Sequence, residues 1–199
     1  MNPSHKMRPL LVIYLHGFAS SGQAHKAELL RTWCAQHQLA FIAPSLPVQP
    51  SLAISSVQEM LAALLPFYRV GLVGASLGGF YARYLAQQAQ LPCVLINPVV
   101  NPAQRLQEAI GAVTHYHDQL RFSWTQEHCQ SLVAYRVEKA SVPCRLLLQT
   151  GDDVLDYRQA QLAYPEAELC LEEGGDHGFT GFERHIPALV AFLDQHAAQ

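Results

Sequence analysis

A chain of 199 residues with 50% hydrophobic and 15% charged side chains can bury about 70% of the surface its unfolded form exposes, which excludes a disordered chain and removes any need for a disulfide or metal staple. A formal net charge of −3 supplies no basic field for phosphate backbones, so nucleic acid is excluded as an expected partner. The five cysteines, Cys34, Cys93, Cys129, Cys144 and Cys170, are odd in number, form no Cys-x-x-Cys pair and lie mostly in apolar stretches, which reads as buried free thiols.

In chain order, the first apolar run is residues 10–15. At six residues it is too short for a signal-peptide core or a membrane span. It reads as a strand; no membrane partner is expected, and a cytoplasmic address follows by default. The run ends in the loop His16-Gly17-Phe18-Ala19-Ser20-Ser21-Gly22. Residues 24–37 place Leu29, Leu30 and Trp33 at helical spacing, and residues 40–43 form the next strand. Pro44, Pro47 and Pro50 mark a loop, and residues 51–65 form a helix broken by Pro66.

The strand 69–73 runs through Gly74-x-Ser76-x-Gly78 straight into the helix 77–88, and Pro92 separates that helix from the strand 93–96. Residues 98–142 then show no clear strand but carry Tyr116, Phe122, Trp124 and Tyr135. An ordinary crossover needs only a dozen or more residues, so the expectation is a small helical cap over the C-terminal edge of the sheet. The alternative is a long crossover that packs its aromatics into the core. The strand 145–149, the helix 157–163, the strand 168–171 and the helix 182–196 complete the chain.

Short strands, apolar on consecutive residues, alternate with amphipathic helices, the rhythm of a parallel sheet covered on both faces. The fold class is therefore α/β: a three-layer sandwich with a mostly parallel sheet of about six strands in one domain over residues 1–199.

A serine on so sharp a strand-to-helix turn has strained backbone angles and needs very small neighbours two residues away on each side, which Gly74 and Gly78 supply. The turn lifts the Ser76 hydroxyl above the sheet and aims the Leu77 N–H, at a helix N-terminus, toward whatever that oxygen attacks. A nucleophilic serine needs a base, and the base an orienting carboxylate. His177, between glycines after the last strand, is the candidate base. Asp152, after the strand 145–149, is the favoured acid, with Asp153 a close competitor and Asp156 a more distant one that also suits a helix N-cap. Asp176 reads as exposed or bracing the loop. The order Ser, Asp, His along the chain is the one this layout requires. The second oxyanion donor is expected in the loop after the first strand, from the Phe18 N–H. Neither a Gly-x-Gly-x-x-Gly nor a Gly-Lys-Ser/Thr motif is present, which argues against a phosphate cradle. His115-x-His117-Asp118 and His128-Cys129 fit no established zinc spacing. No metal or cofactor is expected.

With His16-Gly17-Phe18, Gly74-x-Ser76-x-Gly78-Gly79 and Gly175-x-His177 in this order, the chain resembles the α/β-hydrolase superfamily over nearly its full length and, more narrowly, the YqiA-like esterases. The narrower resemblance rests on the longer strings beginning at His16, Gly74, Ile96, Gln149 and Gly174. It implies a small hydrolase lacking the first strands of the full superfamily sheet and acting on carboxylic esters or acyl thioesters, with nucleophile Ser76, acid Asp152 and base His177. Gly151 and Asp152 stand closer than in many superfamily members, which keeps Asp153 in play. The expected function is a serine hydrolase working through an acyl-enzyme on a small acyl ester or thioester. The alternatives are a non-catalytic binding protein on the same fold, or a lyase or thioesterase using the same residues. Oligomeric state is not legible, for no long heptad or exposed apolar stripe stands out.

Overall fold

The computed structural model describes residues 8–139 and 141–198; the ends of the expected single domain and residue 140 of the expected cap lie outside the described residues. Six strands form one sheet. In chain order the first half contains β1 (Leu10–Leu15), helix α1 (His25–Gln36), β2 (Ala40–Ile42), α2 (Pro50–Leu64), β3 (Arg69–Ala75), α3 (Leu77–Ala89) and β4 (Cys93–Ile96). A long segment follows, with α4 (Pro102–Arg105), the strands β5 (Gly111–Thr114) and β6 (Arg121–Trp124), and α5 (Gln126–Leu132). The chain closes with β7 (Cys144–Gln149), α6 (Tyr157–Ala163), β8 (Glu168–Glu172) and α7 (Ile186–His196).

The sheet order is β2-β1-β3-β4-β7-β8, and every pair in it is parallel. Burial on both faces explains why the strands read as continuous apolar runs. In β1, Leu11, Ile13 and Leu15 face a core layer shared with Ile54 and Leu61 of α2 and Leu77 and Leu85 of α3. Leu10, Val12 and Tyr14 face the opposite layer, with Leu30 of α1 and Ile186, Leu189 and Leu193 of α7. Each such buried aliphatic side chain contributes about 1.5–3 kcal/mol relative to leaving it exposed. The order reverses at β1 and β3, and in open parallel sheets the crevice at that point, beyond the carboxyl ends of the strands, is where ligands bind.

Two elements differ from the sequence reading. The helix expected over 182–196 is a 3-10 turn, Phe182–His185, followed by α7. Pro187 is the reason: lacking an N–H and crowding the carbonyl four residues back, it fits the first turn of a helix and not its interior. The segment after β4 is not wholly helical, because β5 and β6 pair antiparallel, from Gly111 opposite Trp124 to Thr114 opposite Arg121. These four-residue strands are largely exposed, so neither carries a repeating apolar pattern. Trp124 is buried in the core layer of α2 and α3, and its indole N–H donates to the Leu106 carbonyl at 3.1 Å, while Tyr116 stands 77% exposed. All five cysteines are free thiols; four are buried and Cys170 is half-buried.

Candidate active site

Ser76 occupies the junction of β3 and α3 with φ 52° and ψ −118°, a conformation that costs a non-glycine residue about 1–3 kcal/mol and persists only where its surroundings enforce it. They do so by close backbone packing. A Cβ on Gly74 would lie 2.1 Å from the Gly78 carbonyl oxygen, and one on Gly78 would lie 2.0 Å from that of Leu15. The Ser76 N–H donates to the Ile96 carbonyl at 3.0 Å, so β4 anchors the turn from the other side.

Two later loops bring groups to the serine. His177, after β8, sets its Nε2 3.1 Å from Ser76 Oγ, and its Nδ1 lies 2.8 Å from Asp152 Oδ2, after β7. The other Asp152 oxygen accepts the Val154 and Leu155 N–H groups at 2.9 and 2.8 Å, and its side chain is 1% exposed. Burial alone would raise the Asp152 carboxyl, but the hydrogen bonds from His177 and Leu155, the charge interaction with His177 and the Val154 N–H outweigh it and hold the group below the usual carboxylate range. Asp153 is exposed, and Asp156 caps α6 by accepting the Arg158 N–H at 3.0 Å. Of the three carboxylates, the fold brings Asp152 to His177.

Three buried polar residues hold the loops of this rim, two of them these later loops and the third the loop after β1, and the sequence reading assigned them no role. Asn97 donates to the Asp176 carbonyl at 3.0 Å and accepts the Gln149 N–H at 3.1 Å. Gln149 donates to Glu172 and to the Thr180 carbonyl, both at 2.8 Å, and accepts the Asp176 N–H at 3.1 Å. The Asp176 carboxylate accepts the Thr180 hydroxyl at 2.8 Å, bracing the loop. The third residue, His16, donates from Nδ1 to the Gly17 carbonyl and accepts the Leu46 N–H at Nε2, each at 2.8 Å. Burial pushes the His16 imidazole below its usual value, the Gly17 hydrogen bond opposes this, and the nearby His115 adds to the depression. The signal for all three is positional: each is a polar residue at the end of an apolar strand, on the rim where Ser76 stands.

The expected oxyanion donors flank the serine. Phe18 and Leu77 both line a cavity of about 560 Å³ that opens over Ser76 and His177, and among the described residues neither backbone N–H donates to a protein acceptor. The Phe18 ring packs edge-on against Trp124 and Phe122, with centroids 4.9 and 5.8 Å away. The Tyr116 N–H donates to the Ala19 carbonyl at 2.9 Å, so the segment after β4 is tied to the loop after β1. Val99, Leu106, Val154 and Leu155 add apolar wall, and Lys26 of α1 also lines the cavity.

Two of the histidines weighed as metal ligands have other partners. His128 caps α5, its Nδ1 accepting the Thr125 N–H at 3.0 Å while the Thr125 hydroxyl accepts the His128 N–H, and His117 is 3.0 Å from the Gln23 side-chain oxygen. Among the described residues no group of three or more His, Cys, Asp or Glu side chains stands placed to hold a metal ion. No helix among them is long and apolar enough to cross a membrane.

A parallel sheet with a serine on the turn between its third strand and the following helix, and with aspartate and histidine loops after later strands, defines the α/β-hydrolase fold. Solved structures of that fold superpose on nearly the whole chain. Est1E from Butyrivibrio proteoclasticus, with ferulic acid bound, matches with a TM-score of 0.76 at 14% identity, over 98% of this chain and 92% of that one. Alpha/beta hydrolase domain-containing protein 10 from mouse matches with a TM-score of 0.70 at 18% identity, over 98% and 97%. The chain belongs to the uncharacterised protein family UPF0227, whose model matches residues 11–194. A relative in that family, the UPF0227 protein of Serratia proteamaculans, is 25% identical over 189 residues, covering 92% of this chain and 98% of its own.

Proposed function

We propose that this protein is a serine hydrolase of carboxylic esters, with Ser76 as nucleophile, His177 as base and Asp152 as its orienting acid. One observation carries the reading: a continuous hydrogen-bonded line from Ser76 Oγ through both His177 nitrogens to Asp152, at 3.1 and 2.8 Å, at the floor of a cavity of small-molecule size. Because Asp152 is held ionised, His177 carries its proton on Nδ1 and leaves the Nε2 lone pair facing the serine hydroxyl. His177 Nε2 takes the hydroxyl proton as Ser76 Oγ attacks the ester carbonyl, and the Phe18 and Leu77 N–H groups hold the oxyanion that forms. His177 then protonates the departing alcohol, the acyl group stays on Ser76, and a water activated by the same imidazole releases it as the carboxylic acid. An acyl thioester would follow the same course with a thiol as leaving group. Residues 98–142 act as the cap that bounds the acyl side of the cavity.

A fluorophosphonate probe tests the chemistry directly, since it reacts only with an activated serine. It labels the wild type at Ser76 and leaves Ser76→Ala unlabelled, and that variant loses hydrolysis of 4-nitrophenyl butyrate by a factor on the order of 10⁴ to 10⁶. Full activity in Ser76→Ala overturns the reading. An unlabelled but ligand-binding wild type favours the binding-protein alternative.

A further inference from the structure

Resting on that reading, we infer that the site selects esters whose leaving group carries an anion, a carboxylate or a phosphate, and that Lys26 is the residue that recognises it. Lys26 stands in the first turn of α1 and lines the cavity over Ser76. Its ammonium donates to the Gly178 carbonyl at 2.6 Å, and an ammonium has three hydrogens to place. Among the described residues no carboxylate lies within ion-pair distance of it. Asp176 and Asp152 act on it only through space; one Asp176 oxygen accepts the Thr180 hydroxyl, and both Asp152 oxygens are engaged, by His177, Val154 and Leu155. Burial pushes the Lys26 amine down, and those two carboxylates only partly restore it. A half-buried cation with unused donors at the wall of a cavity gains from an incoming anion what water no longer supplies.

The leaving-group side follows from the chemistry of the base. His177 must pass its proton to the departing oxygen, so the leaving group lies on the His177 side of the cleft. Lys26 is fastened to the carbonyl of the very next residue, which puts its charge on that side. The other cation on the wall, Arg105, is paired with Glu108 and so offers less to a ligand. Val99 and Leu106 leave an apolar surface for the acyl chain. The substrate class is therefore an apolar acyl group joined to an anionic alcohol or thiol.

A set of butyrate esters with one acyl chain and different leaving groups tests this: phenyl, 4-carboxyphenyl, 4-phosphonooxyphenyl and 4-(trimethylammonio)phenyl butyrate, with phenyl hemisuccinate placing the anion on the acyl side instead. The readout is kcat/KM for each charged ester divided by that of phenyl butyrate and then by the same ratio for hydroxide-catalysed hydrolysis, which removes the leaving groups' intrinsic reactivities. In the wild type at low salt the ratio is about five to ten for at least one anionic leaving group, and it shrinks as salt is raised; the two anionic arms tell carboxylate from phosphate recognition. Lys26→Met brings the ratio to about one, Lys26→Arg retains a preference, and Lys26→Glu turns it toward the trimethylammonio ester. Because each ratio is taken within one variant, a general loss of activity from loosening the Gly178 loop cancels. Equal values for all leaving groups, a preference surviving in Lys26→Met, or a stronger preference for the hemisuccinate overturns the inference while Ser76 labelling leaves the hydrolase reading standing. No turnover of any ester together with no labelling of Ser76 overturns both.

Discussion

The rim of the sheet and the segment between β4 and β7 reach the same cavity by different means. At the rim, β1 and β3 are buried along their whole lengths, and Ser76, Asp152 and His177 follow β3, β7 and β8 within a few residues, in loops tied to one another by Asn97 and Gln149. In the inserted segment most side chains of β5 and β6 are exposed, and the hairpin is attached at a few points, chiefly buried Trp124 and the Tyr116-to-Ala19 hydrogen bond, while Cys129 and Leu132 bury α5 beside it. The three side chains that meet by hydrogen bonds stand on loops of the buried sheet, and part of the cavity wall stands on the more exposed segment.

The largest effect is expected on the sheet rim, from Asp152→Asn. Asparagine keeps an oxygen for the Val154 and Leu155 N–H groups, but its amide hydrogens call for a lone pair on His177 Nδ1, which moves the histidine's proton to Nε2 and blocks proton abstraction. The expected loss in kcat is on the order of 10⁴-fold, with the folded state retained by circular dichroism. The native carboxyl, held low in the fold, adds stability that is present above about pH 4 and lost as pH falls through the folded value, so the acid limb of a stability curve is shallower in the variant.

Trp124→Ala probes the other region. It removes the fully buried side chain that seats the hairpin in the core, together with its hydrogen bond to Leu106. It costs about 3–5 kcal/mol in urea unfolding and raises KM more than it lowers kcat. A fall in kcat as large as that of Asp152→Asn would mean that the two regions are not separable.

Gly78→Ala tests how rigid the rim is. The new Cβ meets the Leu15 carbonyl at 2.0 Å, and backbone cannot step aside as a side chain can, so a loss of about 3 kcal/mol is expected. The displaced strand end carries His16, Gly17 and Phe18, so activity falls as well.

The smallest effect lies where the regions meet. Neutral His16 ties the Gly17 loop to Leu46, and His115 of the inserted segment helps keep its proton affinity low. Protonated at Nε2, it loses the Leu46 N–H as a partner. A histidine depressed in the fold contributes stability that is fully present above its unfolded value of about 6.5 and is lost as pH falls toward the folded one. Melting temperature therefore drops more between about pH 7 and about pH 5 in the wild type than in His16→Asn, and parallel curves for the two would remove His16 as the joint.

Much of this architecture is legible in the sequence because it is written in local terms. Strands buried on both faces are apolar on consecutive residues, and the sequence-predicted bounds of β1 and β4 coincide with the observed ones. The strained turn at Ser76 announces itself by its glycines, since no other residue leaves room for the backbone there. The hairpin of β5 and β6 is not legible, because exposed strands are under no demand to alternate. Nor is the choice among Asp152, Asp153 and Asp156: three carboxylates within one turn look alike along the chain. That choice falls to packing, when the Gly151 N–H meets the Gly174 carbonyl at 2.7 Å and lays the two loops side by side. Local order along the chain sets the buried strands, most of the helices and the turn at the serine, because burial period and backbone sterics act over a few residues. Which side chains meet across 101 residues, from Ser76 to His177, is settled by folding, because a hydrogen bond acts over about three ångströms and the assembled sheet sets the distance between its loops.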